Sequence, residues 1–148
     1  MNGSDGSDGS DIFKIISGLK YRFNDERGGV WCLNNAELNN DIIKSLSILF
    51  AFTRTISLEL SGNEIDDDGA IHLANAIKHS SSIRSVNLNS NKIGNKGAIA
   101  LAEAIKANQN LKSFSIKKNL FNDPMNGEVE GELALQEALA SHRNCNKN

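Results

Sequence analysis

The side chains able to do chemistry in this chain are few and scattered. Three histidines (His72, His79, His142), two cysteines (Cys32, Cys145) and one acidic run (Asp66, Asp67, Asp68) are the first to consider. A zinc site needs companion His or Cys ligands at short spacing, and none of the histidines has them. The three aspartates are consecutive, whereas a calcium loop alternates its oxygen donors. They stand just before a helix-like run from Gly69 to Lys78, where negative charge suits the exposed amides of a helix start, so capping is the better reading. No spacing assembles a nucleophile, a base and an orienting group, and there is no glycine-rich phosphate loop. The residues therefore point to no enzyme, no cofactor and no metal.

Two cysteines are too few for a disulfide framework and suit a reducing compartment, which with the absence of a readable secretory signal gives an expected cytoplasmic location. No apolar run approaches the roughly 20 residues that span a bilayer, so no membrane partner is expected. The formal net charge of -2 is unevenly placed. Residues 1–80 hold 7 Lys+Arg against 12 Asp+Glu, and residues 81–148 hold 9 against 6, so the two ends of an array should differ in sign. Neither part is basic or aromatic enough for a nucleic-acid surface.

What must position these residues is a repeat. From Thr55 the chain reads TISLELSGNEIDDDGAIHLANAIKHSSS, and from Ile83 IRSVNLNSNKIGNKGAIALAEAIKANQN. Leu58, Leu60, Asn63, Ile65, Gly69, Ala70, Leu73, Ala76 and Ile77 return at one constant offset as Val86, Leu88, Asn91, Ile93, Gly97, Ala98, Leu101, Ala104 and Ile105. In SLELSGN and SVNLNSN the aliphatics alternate with polar residues, as in a strand with one buried face. The alanine-rich runs that follow have helical spacing, with Ala70, Leu73, Ala74 and Ile77 on one side and Lys78 on the other. A period of this length, one strand plus one helix, is that of a solenoid.

These two units resemble leucine-rich repeats, in particular the long-helix subclass found in ribonuclease inhibitors, NOD-like receptor sensor domains, and the Ran GTPase-activating and tropomodulin groups. The resemblance implies an α/β leucine-rich-repeat solenoid, with short parallel strands on the concave face and helices on the convex face. It also implies a structural row, Asn35, Asn63, Asn91 and Asn119, whose amides bond to backbone groups of the turns. Its functional implication is a non-enzymatic protein-protein interaction module. The alternatives are a regulator of a small GTPase or of a cytoskeletal protein, and a scaffold that works as a homo-oligomer.

Stepping one period back from the clear units gives a degenerate first repeat, with Val30, Cys32 and Asn35 at the places of Leu58, Leu60 and Asn63. On that register Cys32 is a buried small hydrophobe. Stepping forward gives Leu111, Phe114, Ile116 and Asn119, then a broken turn, LFNDPMNGEVEG. The last helix, ELALQEALASH, is displaced by an insertion, so that Leu135 stands further from Leu101 than one period. The expected layout is a disordered leader over 1–10, an N-terminal cap over 11–26 with a short helix from Asp11, four units over 27–144, and a fraying polar tail over 145–148.

On the same register the side chains facing outward from the strands are Gly29, Trp31 and Leu33, then Ser57, Glu59 and Ser61, then Ser85, Asn87 and Asn89, then Ser113, Ser115 and Lys117, beside Lys118. The candidate binding residues are therefore Trp31, Leu33, Glu59, Asn87, Asn89, Lys117 and Lys118. Two readings of Trp31 are open: an anchor for a partner, or a side chain covered by Tyr21 to Asn24.

Overall fold

A computed structural model of the chain describes residues 21–24, 28–122, 125 and 129–145. The leader over 1–10 and the helix expected from Asp11 lie outside them. One sheet is built in chain order from β1 (Tyr21–Asn24), β2 (Gly28–Cys32), β3 (Thr55–Glu59), β4 (Ser85–Asn87) and β5 (Ser113–Ser115). β1 pairs antiparallel with β2, and every later pair is parallel. Helices α1 (Asn40–Phe52), α2 (Asp67–His79), α3 (Asn95–Ala107) and α4 (Glu130–Cys145) each follow one of the parallel strands. The result is an α/β solenoid with short parallel strands on one face and helices on the other.

The constant offset of the repeat is the register of this sheet. Leu58 lies beside Val86, and Val86 beside Phe114. The alternation works as the pattern requires, with Leu58, Leu60, Val86 and Leu88 fully buried and Ser57, Glu59, Ser85 and Asn87 on the open side. Behind the strands Leu73, Ile77, Leu101 and Ile105 complete the core, while Ala70, Ala74, Ala98 and Ala102 are buried where successive helices meet. Each fully buried aliphatic contributes about 1.5–3 kcal/mol relative to an exposed one.

Buried turns must satisfy their backbone, and three asparagines do this across units. The Asn63 amide donates to the carbonyls of Leu33 and Leu60, both at 2.9 Å, and its oxygen accepts from Ala36 N and Leu38 N. Asn91 donates to Leu60 and Leu88 and accepts from Ile65 N; Asn119 donates to Leu88 and Ile116 and accepts from Ile93 N. All three are buried. Removing such an amide strands carbonyls on two adjoining units, so Asn91→Ala is expected to lower stability by about 1–3 kcal/mol in equilibrium urea unfolding.

A second cross-unit row sits at the helix entries. Asn39 and Asp66 cap their own helices, through Ile42 N at 3.1 Å and Asp68 N at 2.9 Å. Gly94, in the same place before α3, has no side chain to do so. Instead Asp67, from the preceding unit, accepts from both Gly94 N and Gly97 N at 2.8 Å. Asn40 accepts in the same way from Asp66 N, and Asn95 from Gly131 N. This explains the glycine at 97, since a Cβ there would lie 2.8 Å from the Asp67 oxygen and 2.8 Å from the Ala70 methyl. The acidic run is thus divided: Asp66 caps α2 and Asp67 caps α3. Asp67→Ala is expected to cost about 0.5–2 kcal/mol, and Asp67→Asn much less because it keeps the acceptor, as Asn40 and Asn95 do. Urea midpoints of the two variants, measured side by side, check this.

The first unit departs from the expected register. A bulge between Gly29 and Val30 leaves Trp31 beside Leu58 and Cys32 beside Glu59, one position short of the offset that relates the later units. Because side chains alternate along a strand, a slip of one position exchanges its faces. Trp31 and Leu33 are therefore core residues at 5% and 1% exposure, while Cys32, expected inside, is exposed. Gly29, expected outward, is buried. Asn35 is not part of the asparagine row. It lies exposed at φ 54°, the left-handed turn position that Gly62, Ser90 and Lys118 occupy at φ 71°, 55° and 58° in the later units. The row position falls on Ala36, whose backbone is served by Asn63. The same shortened offset puts Ile43, Leu46 and Phe50 at the places of Ala70, Leu73 and Ile77, and all are buried.

In the last unit a 3-10 turn at Leu120–Asn122 precedes α4. Leu135 and Ala138 are buried against α3 despite the insertion. Helix α4 continues to Cys145, the first position of the tail expected to fray.

Candidate functional site

The open side of the sheet is the surface that the strands hold in place. Its side chains come from alternate positions of β3, β4 and β5 because their neighbours are consumed by the core. Val30 and Cys32 replace Trp31 and Leu33 at its N-terminal end, Val30 half-buried and Cys32 exposed.

The middle of this surface is a linked polar set. Glu59 accepts from Ser57 Oγ at 3.2 Å and, with its other oxygen, from Asn87 Nδ2 at 3.0 Å. The Asn87 oxygen accepts from Asn89 N at 3.1 Å. Asn89 then accepts from Ser115 Oγ and from Lys117 N, both at 2.7 Å. Asn34 repeats that last contact one end along, accepting from Ser61 N at 2.7 Å. Glu59, Asn87 and Asn89 are thus brought together and preoriented by each other. Lys117 and Lys118 stand at the C-terminal end of the row with exposed side chains.

The groups on this surface are hydrogen-bonding ones. They comprise one carboxylate, several amides and hydroxyls, and two ammonium groups, and these can hydrogen-bond a polypeptide. Among the described residues no three His, Cys, Asp or Glu side chains gather to hold a metal ion. His79 meets the carbonyl of Asn75 in its own helix, and His142 meets that of Leu111, tying α4 to the segment before β5. No helix among the described residues is long and apolar enough to cross a membrane.

A family model described as Leucine Rich repeat matches residues 56–74 and 79–102, which take in the strand and the first part of the helix of the second and third units. The fold is a leucine-rich-repeat-like solenoid. No curated protein matches the chain. Among solved structures the repeat is similar to Leiomodin-1 Actin-Binding Site 2 (ABS2), at 19% identity and a TM-score of 0.58, over 76% of this chain and 79% of that one. At that identity the likeness is one of fold.

Two sets of residues, and one bond between residues already singled out, do not follow from the outward positions alone. Asn34 is hidden by the slip in the first unit. The Asn40, Asp67 and Asn95 row is hidden because each of these side chains bonds to a backbone amide of the following unit. The bonding of Glu59 to Asn87 can be found by noticing that they are one period apart and so face each other across adjacent strands.

Proposed function

We propose that this chain is a non-enzymatic protein-interaction module, and that its partner is a cytoskeletal protein, with actin the first to test. The observation that carries the cytoskeletal reading is the likeness over three quarters of the chain to actin-binding site 2 of leiomodin-1. The general reading is supported by the preoriented polar face, whose side chains make no reactive constellation and are held by the repeat alone. Binding would run along the sheet face through Glu59, Asn87, Asn89, Lys117 and Lys118. The long-helix, ribonuclease-inhibitor-like form of the repeat fits its 13-residue helices α1, α2 and α3.

The four parallel strands span about 15–20 Å at ordinary strand spacing, so the face alone offers a modest contact. Affinity in the micromolar range is expected. The test is fluorescence anisotropy of the labelled chain against monomeric actin, with co-sedimentation against filaments. Saturable binding weakened by Asn87→Arg, a bulky charge placed in the middle of the face, supports the proposal. Absence of binding to either form removes the actin reading, and binding unchanged by Asn87→Arg removes the sheet-face assignment.

A further inference from the structure

Among the described residues, the strand at the C-terminal edge of the sheet, β5, has no following strand to complete its ladder. Between the first and second units Leu33 N donates to Glu59 O and Asn35 N to Ser61 O, each at 2.8 Å. Between the second and third, Leu60 N donates to Asn87 O and Gly62 N to Asn89 O; between the third and fourth, Leu88 N donates to Ser115 O and Ser90 N to Lys117 O. Three times, then, a pair of amides at alternate positions points forward to two carbonyls of the following strand. By the same register Ile116 N and Lys118 N are the fourth pair, and among the described residues β5 is the last strand of the sheet. Beside it lies a groove of about 380 Å³ between β5 and α4, lined by Phe114, Ile116, Phe121, Leu135 and Leu139. These are the positions that in earlier units are covered by the next repeat. Phe114 is half-buried where its counterparts Leu58 and Val86 are fully buried.

We infer that this edge is a docking site for an extended acidic segment of a partner polypeptide, added to the sheet as a further parallel strand. The ladder fixes the backbone requirement: two carbonyls at alternate positions, opposite Ile116 N and Lys118 N. The groove fixes the side-chain requirement, which is two aliphatics at alternate positions to cover Phe114 and Ile116, as Leu58 and Leu60 do within the chain. Charge selects the occupant. Lys112, Lys117 and Lys118 are exposed along the edge, against one acidic side chain, Glu132, in the groove lining, and the outward residue that follows the second aliphatic of the added strand would lie beside Lys117. A second copy is disfavoured by the same charges. A two-fold pairing of β5 with itself would bring these lysines together, and the strand at the opposite edge of the sheet, β1, has the sequence YRFN, with a basic residue and no acidic one. This inference does not depend on the identity of the sheet-face partner.

The probe is a synthetic peptide of residues 55–63 of this chain, TISLELSGN, which already has the required aliphatic spacing, made with Ser61→Glu at the position that would neighbour Lys117. Its binding to the whole chain is followed by amide chemical shifts and peptide anisotropy. Saturable binding is expected, with shifts centred on residues 113–118 and on Leu135 and Leu139. Placing Ser61→Lys in the peptide, or Lys117→Glu in the chain, should weaken it about tenfold, and the two changes together should restore it. A scrambled peptide that binds equally well, or shifts confined to the sheet face around Glu59 and Asn87, would overturn the edge assignment. A concentration-dependent dimer of the chain that Lys117→Glu dissolves would overturn the partner assignment in favour of a second copy. Because Lys117 is exposed and outside the core, its variant should keep the wild-type helical circular dichroism, which separates loss of docking from loss of fold.

Discussion

Trp31→Ala is expected to lower the unfolding free energy by about 3–5 kcal/mol, the range for truncating a large aromatic in a packed core. The indole is 5% exposed, meets the Phe50 ring edge to face at 5.3 Å and 69°, and donates through Nε1 to Thr55 Oγ1 at 3.0 Å. Thr55 retains a partner in Thr53 Oγ1 at 2.7 Å after the substitution, so the cavity between β2 and α1 dominates the loss. Trp31 is the only tryptophan, which makes the measurement specific. Native fluorescence should be blue-shifted and move to the red through the urea transition that defines wild-type stability. The variant is then followed by circular dichroism. A change below about 0.5 kcal/mol, with red-shifted native emission, would return Trp31 to the open face and restore the full period to the first unit.

Leu88→Ala is expected to cost about 2–5 kcal/mol. Leu88 is fully buried, its amide ties the third unit to Ser115 of the fourth, and its carbonyl receives both Asn91 and Asn119. A solenoid is stabilised by contacts between neighbouring units, so a cavity in a central one weakens two interfaces at once. Ser85→Ala, on the half-exposed side of the same strand, should be nearly silent by comparison. Equal effects for the two would mean that the alternation of β4 has been assigned to the wrong faces.

The repeat itself is legible because the second and third units agree in both strand and helix, and the fourth helix can be followed across its insertion by matching Leu135 and Ala138 to Leu101 and Ala104. The first unit misleads for one physical reason. Asn35 stands a full period before Asn63 and invites that register, whereas Trp31, Leu33, Leu38, Leu46 and Phe50 all stand one position short of a period before Leu58, Leu60, Ile65, Leu73 and Ile77. The buried positions decide the register, since they carry the hydrophobic free energy, and an asparagine in an exposed turn does not. With that slip goes the candidate site's apolar end, Trp31 and Leu33. What remains, from Glu59 to Lys118, is readable as outward positions, but its hydrogen-bonded linkage depends on which residues face each other across strands. A helix such as α2 shows its apolar stripe plainly, while Asp67 reads as part of a local cap because nothing in one unit's sequence announces a bond to the next.

Hydrogen–deuterium exchange of the whole chain with and without saturating actin reports in one experiment whether a complex forms and on which face. Binding along the sheet face would slow exchange at amides of β3, β4 and β5 and the turns that follow them, including Glu59, Asn87, Asn89 and Lys117, with the helices unchanged. Slowed exchange confined to residues 72–79 and 100–107, on the helical side, or no change anywhere in the chain, would contradict it.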